Sequence, residues 1–256
     1  KQKKAPPKGE NIMAKIQCNV ISYTLMRTVD IDVILPTVTI PESMINKGKI
    51  HHDYHKKFPV LYLLHGFGNN HAQWCGYTNV ELYAEERQIA VVMISGENKK
   101  YIDQDEDLFA DFIENELPEF ITQVFPVSTR KEDTYIAGLS MGGFGALYHG
   151  LSHPEKYSAI GAFSPGIEMQ GNPIDLYEVL DQCQHEIPIY MACGDKDFLY
   201  DTNVQFVKSL KEKKMSLTWL SVPGYEHEWR FWDKCIEEFL DWIQRSDAYA
   251  NAKRKI

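Results

Sequence analysis

The sequence predicts an α/β protein with a mostly parallel central sheet flanked by helices, antiparallel at its N-terminal edge. Three observations carry that expectation. Arg27–Leu35 alternates, with Val29, Ile31, Val33 and Leu35 on one side, the period-2 pattern of a sheet with one face buried. From Pro59 onward short apolar runs take turns with stretches of helical length and apolar spacing. Strands alternating with helices imply βαβ units, a parallel sheet and right-handed crossovers.

Lys15–Tyr23 and Arg27–Leu35 are expected to pair as an antiparallel hairpin or meander. Residues 36–58 lack periodicity and carry Pro41 and Gly48, so they read as a surface excursion between strands. The strands expected after it are Val60–Leu64, Ala90–Ile94, Thr134–Ala137, Ala159–Phe163, Ile187–Cys193 and Leu217–Val222. The helices expected between them are Asp107–Val124, Gly142–Ser152, Asn203–Lys213 and Phe231–Gln244, the first with a kink at Pro118, which lacks a backbone donor.

A chain of 256 residues is long enough for one well-buried domain, placed at 13–256, with 1–12 read as a flexible tail or an added remnant before Met13. Hydrophobic residues are 44% and charged residues 25%, the ordinary globular balance. No stretch approaches the roughly 18 apolar residues of a spanning helix, so no membrane partner is expected. The net charge of −9 argues against nucleic acid, whose phosphates select clustered Lys and Arg. Five cysteines, widely spaced and without a CxxC pair, favour reduced thiols and a cytoplasmic location.

Gly138-Leu139-Ser140-Met141-Gly142 matches G-x-S-x-G, with an apolar strand before it and the small residues Gly143, Gly145 and Ala146 behind it. A serine on that sharp strand-to-helix turn needs glycine two positions to either side, because side chains there would clash. This is the nucleophile position of the α/β-hydrolase fold. A serine hydroxyl also needs a base to take its proton. Of nine histidines, His227 lies between the last expected strand and the last helix, where the order Ser, acid, His places it. The orienting acid should follow the strand ending at Cys193, where Gly194-Asp195-Lys196-Asp197 offers two aspartates, either able to hold the imidazole. Charge on the carbonyl oxygen needs two N–H donors. Met141 supplies one, and Phe67 in the turn His65-Gly66-Phe67-Gly68 the other. Trp74 and Trp229, which flank motif residues, are candidates to line the substrate pocket.

Other polar groupings read as scaffold. His51-His52-Asp53-Tyr54-His55 sits in an irregular segment without a second ligand set, and His149 with His153 lacks the H-E-x-x-H glutamate. Asp195, Asp197 and Asp201 lack the turn glycine and final glutamate of a calcium loop. No metal and no cofactor is expected. Cys75 and Cys193 read as buried inert thiols.

Over residues 15–245 the sequence resembles the esterase D family of α/β-hydrolases. The motifs are Leu64-His65-Gly66 with Trp74, then Gly138 through Leu147, then Cys193 through Phe198, then Pro223-Gly224 with His227, Trp229 and Trp232. The resemblance implies a serine carboxylesterase acting through an acyl-enzyme, with Ser140, Asp197 and His227 as triad and Phe67 and Met141 at the oxyanion. S-formylglutathione hydrolases of the family usually place histidine before the serine, where this chain has Leu139. The chain is most similar to tributyrin-type esterases, which implies a small-molecule ester substrate with a short acyl chain and a homo-oligomer. Acetyl-xylan or feruloyl ester cleavage, S-formylglutathione hydrolysis, acyl transfer, and a non-catalytic binding protein on the same fold are the rival readings.

Overall fold

A computed structural model describes residues 14–36, 44, 47 and 55–251. The 1–12 tail and most of the 36–58 excursion, His51 to Tyr54 included, lie outside the described residues.

The chain builds an eight-stranded sheet in the order β1-β2-β4-β3-β7-β8-β9-β10. The strands are β1 Ala14–Ser22, β2 Arg27–Leu35, β3 Val60–Leu64, β4 Ala90–Ile94, β7 Thr134–Leu139, β8 Ala159–Phe163, β9 Ile189–Gly194 and β10 Leu217–Val222. A two-residue hairpin, β5 Asp103–Gln104 with β6 Asp107–Leu108, stands apart. In the eight-stranded sheet β1 and β2 pair antiparallel, β2 meets β4 antiparallel, and the other five pairs are parallel. The fold is therefore the expected one, an α/β-hydrolase sheet with an antiparallel N-terminal edge.

Alternate residues of the central strands feed two cores, because successive strand side chains point to opposite faces. On one face Tyr62, Leu64, Ile136, Ile160 and Met191 pack with helices α3 Leu117–Val124, α4 Met141–Ser152, α5 Leu176–Gln182 and α6 Tyr200–Glu212. On the other, Leu61, Leu63, Ala137, Phe163 and Ala192 pack with α1 Gln73–Tyr77, α2 Val80–Arg87 and α7 Trp229–Trp242. This double cover explains a departure from the one-faced pattern expected of β2. Asp32 and Ile34 are buried beside Val33, since α2 covers the face they occupy, and Asp32 looks toward Lys15 Nζ at 3.9 Å and His71 Nε2 at 4.0 Å.

The expected helix 107–124 is three pieces. After β6, a turn at Phe109–Asp111 passes through a π-helical turn, Phe112–Glu116, into α3. Pro118 has no N–H to offer the carbonyl four residues back, that of Glu114. Lys156 Nζ takes that carbonyl instead, at 2.9 Å. The run is widened ahead of the proline, which sits within the first turn of α3.

Candidate active site

β7 delivers Ser140 to the C-terminal edge of the sheet in a conformation few residues adopt, φ 52° and ψ −115°. The flanking glycines are sterically required. A Cβ on Gly138 would lie 2.3 Å from Gly142 O, and one on Gly142 would lie 2.3 Å from Leu64 O and 2.6 Å from His65 O. Ser140 N–H donates to Phe163 O at 2.9 Å, while its own carbonyl accepts from Phe144 and Gly166, both at 3.0 Å. The elbow is thus clamped between β3 and β8, and α4 starts directly behind it with its positive dipole end toward the hydroxyl.

Two loops bring the other polar groups over this serine. At the end of β9 a Cβ on Gly194 would lie 2.2 Å from Tyr225 O, so the bare glycine lets the 223–228 loop pass against it. Lys196 N–H donates to Tyr225 O at 3.0 Å, lacing the two loops together. His227 then reaches both ways: Nδ1 is 2.8 Å from Asp197 Oδ2, and Nε2 is 3.0 Å from Ser140 Oγ. A carboxylate only accepts, so the Nδ1 proton faces Asp197 and Nε2 is left to accept from the serine hydroxyl. Burial pushes the Asp197 carboxyl up, but hydrogen bonds from His227 and the Leu199 N–H outweigh it and hold the group below the usual carboxylate value. Asp195 does a different job: its Oδ1 accepts the Gly224 N–H at 2.7 Å and fixes the turn that leads to His227.

Phe67 stands 70% exposed in the turn after β3. Its neighbours' polar groups are committed, Asn69 N–H to Gly66 O and Gly68 N–H to Asn98 Oδ1, whereas the Phe67 N–H has no partner among the described residues. Met141 opens α4 and is buried, so its N–H is one of the helix-start donors without an intrahelical acceptor. A Cβ on Gly66 would lie 3.4 Å from Ser140 Cβ, which places this turn against the serine.

The aromatic expectations divide. Trp229 is half-buried, stacked on Tyr77 at 5.0 Å and edge-on to Trp74 and Trp232. Trp74 is corrected: it is fully buried, its indole N–H donates to Leu64 O at 3.1 Å, and it packs against Phe163. It backs the end of β3 and does not line an open pocket. Phe198 is the exposed aromatic beside the imidazole, 77% exposed with its ring 4.7 Å from that of His227, while Trp232 meets the same imidazole edge-on at 4.8 Å. The sequence offered Phe198 only as a motif neighbour.

His149 and His153 do not converge. His149 is buried against Glu114, and His153 pairs with Glu155 near the surface. Burial pushes the Cys75 and Cys193 thiols up to about 12, so neither is a nucleophile at neutral pH. All five cysteines are free. No helix among the described residues is long and apolar enough to cross a membrane.

Comparison with known proteins gives this geometry its family. An acetyl esterase of Caldicellulosiruptor saccharolyticus is 33% identical over 91% of this chain and 99% of its own. Among solved structures, an S-formylglutathione hydrolase of Staphylococcus aureus superposes with a TM-score of 0.78 at 26% identity, covering 91% of this chain and 99% of that one. A fluorophosphonate-binding serine hydrolase of Staphylococcus aureus does so with a TM-score of 0.77, also at 26% identity, over 90% and 98%. The Esterase family model matches residues 46–254, a span that takes in the serine elbow, both loops above it and the turn after β3. The chain therefore belongs to the Esterase family of α/β-hydrolases and is a serine hydrolase of carboxylic esters.

Proposed function

We propose that the chain hydrolyses short-chain acyl esters through an acyl-enzyme on Ser140, with His227 as general base and then general acid, Asp197 as the group that orients it, and the N–H groups of Phe67 and Met141 as oxyanion donors. The observation that carries this reading is the continuous hydrogen-bonded line from Ser140 Oγ through His227 to Asp197 at the C-terminal edge of the sheet. As His227 Nε2 takes the hydroxyl proton, the oxygen attacks the ester carbonyl, and the imidazolium so formed is stabilised by the Asp197 carboxylate. The negative carbonyl oxygen settles between the two backbone donors, the alcohol leaves with the proton from Nε2, and a water repeats the sequence in reverse.

A short acyl chain is supported by the acetyl esterase relative and by the bulky Phe198 ring against His227. Trp229, edge-on to the Trp232 that meets the His227 ring, is the other aromatic assigned to the substrate. Free thiols and the absence of a spanning helix among the described residues are compatible with a cytoplasmic enzyme, and the family resemblance with a homo-oligomer.

The test is a fluorophosphonate probe read by intact mass and peptide mapping, beside a panel of p-nitrophenyl esters from acetate to decanoate. One adduct on Ser140, complete inactivation, and acetate to butyrate preferred over octanoate in kcat/KM are expected. An adduct elsewhere removes the nucleophile assignment, and a tenfold preference for octanoate removes the short-chain reading.

A further inference from the structure

The segment Gly96–Tyr101 carries an unusual amount of left-handed backbone. Glu97, Asn98, Lys100 and Tyr101 have φ of 49°, 59°, 58° and 62°, and none is glycine. Such residues persist where surrounding structure over-determines them, and they collect at functional sites. Here the surroundings are specific. Three tethers from this segment end on the turn after β3. Tyr101 Oη donates to His65 O at 2.9 Å, Gly96 N–H donates to His65 Nε2 at 2.7 Å, and Asn98 Oδ1 accepts the Gly68 N–H at 2.6 Å. The His65 ring closes the set, its Nδ1–H donating to Gly66 O at 2.7 Å. Residues on both sides of Phe67 are thereby held, while Phe67 N–H is left without a partner among the described residues.

We propose that Tyr101 and Asn98 are positioning residues for the oxyanion turn, aiming the Phe67 N–H at the carbonyl oxygen that becomes charged in the transition state. This rests on the reading of Phe67 as an oxyanion donor. The geometry fits a built device. Tyr101 is fully buried, and both Gly96 and Gly145 are bare where it passes, since a Cβ on either would lie 2.5 and 2.8 Å from its ring. Its own carbonyl accepts from His149 Nε2 at 2.8 Å, and His149 Nδ1 lies 2.6 Å from Glu114 Oε1 on the π-helical turn. Lys100 Nζ, donating to Gly171 O at 2.6 Å, secures the outer side. A phenylalanine would fill the same core space, so the hydroxyl's placement on the carbonyl next to the turn is what the positioning role uses. Because an oxyanion donor acts on the charged oxygen alone, its misplacement lowers the chemical step and spares ground-state binding.

The experiment compares Tyr101→Phe and Asn98→Gly with the parent enzyme, glycine being chosen because it keeps the left-handed backbone. Stopped-flow acylation by p-nitrophenyl acetate gives the chemical step and the substrate dissociation constant separately. A trifluoromethyl ketone, whose tetrahedral hemiketal adduct on Ser140 carries the oxyanion, reports the same interaction at equilibrium. Each variant should lose about tenfold in acylation rate and a similar factor in affinity for the ketone, with substrate dissociation unchanged within about twofold. Asn98→Gly should melt close to the parent. Acylation and ketone affinity within about twofold of the parent in both variants would overturn the proposal, as would losses that follow the melting temperature and weaken substrate binding equally. Phe67→Pro, which deletes the donor itself, keeps the two readings apart. Full ketone affinity in that variant removes the Phe67 donor and the positioning role together. Lost affinity there, with unaffected Tyr101 and Asn98 variants, removes the positioning role alone.

Discussion

The two halves of the site are held in place by different physics. The elbow at Ser140 is shaped by what is missing: Gly138 and Gly142 leave no room for a Cβ against each other and against the end of β3, and the positions that must be bare all lie within one five-residue motif. The turn at 65–68 is shaped by what reaches it: a tyrosine hydroxyl, a backbone amide and an asparagine side chain from a segment some thirty residues further along the chain. A steric constraint written in neighbouring residues is local and legible, whereas a tether is tertiary and silent until the fold is known.

The largest expected effect lies on the elbow side, where Asp197 and Asp195 leave the same strand for different work. Asp197→Asn keeps the shape but offers His227 an amide, so the imidazole is held in the wrong tautomer and kcat should fall by about 10³ to 10⁴. Asp195→Asn keeps an oxygen for the Gly224 N–H and should cost less than about tenfold. Circular dichroism establishes that both are folded before rates are compared. A crippled Asp195→Asn beside a mild Asp197→Asn would move the acid to the other loop position.

That pair also shows what could be read beforehand. From the residues, either aspartate could hold the imidazole; reach along the turn beyond Gly194 and the resemblance both favoured Asp197, and Asp195, directly after glycine, was the one expected to satisfy backbone donors. The structure separates their contacts, one on a ring nitrogen and one on a turn amide. The sheet, its strand positions and the elbow were legible because apolar runs and glycine spacing are local signals. Helices α1, α2 and α5 were not, being five, eight and seven residues long, too short to establish a period. Trp74 looked like a pocket residue since aromatic type and motif proximity carry no information on which way a ring points. Glu97, Lys100 and Tyr101 carry no residue-type signal for the left-handed backbone they adopt. One signal was available: Gly145 lies outside the five-residue elbow motif, and a further glycine inside a helix marks close approach of another group, here the Tyr101 ring.

Gly142→Ala would break the elbow outright. Its Cβ would press on the backbone carbonyls of Leu64, the last residue of the central strand β3, and of His65 just after it. The cost should exceed the usual overpacking range of about 1–3 kcal/mol, visible as a lost or strongly lowered melting transition. A variant that melts with the parent would mean that the elbow can open, and the contrast between the two halves would fail.

On the turn side, the buried His65 predicts a pH effect. Burial pushes its imidazole down to about 4, against a hydrogen bond to the Gly66 carbonyl that works the other way. The folded protein therefore resists a proton that the unfolded chain accepts below about 6.5. Stability from this group is fully present above that value and drains away as the pH falls toward about 4, a total of about 3 kcal/mol. Melting temperatures at pH 7 and pH 4.5 should differ more in the parent than in His65→Asn. Equal slopes would show that the ring is not held neutral by its setting.

The smallest effect concerns the second glycine of the turn, Gly68, and it isolates conformation from space. Gly68 has φ +79°, yet a Cβ there would meet nothing within 4 Å. Gly68→Ala should therefore cost only the left-handed penalty, roughly 1 kcal/mol, far below Gly142→Ala. Asparagine is larger than alanine but tolerates left-handed backbone, because its short polar side chain bonds locally. If backbone conformation governs the position, Gly68→Asn must be the milder of the two changes, despite its size. If crowding governs it, the order reverses, and urea midpoints of the two variants decide between them. The first order leaves the turn as an open surface feature aimed by its tethers. The second would make it a packed element like the elbow, and the difference between the halves of the site would vanish.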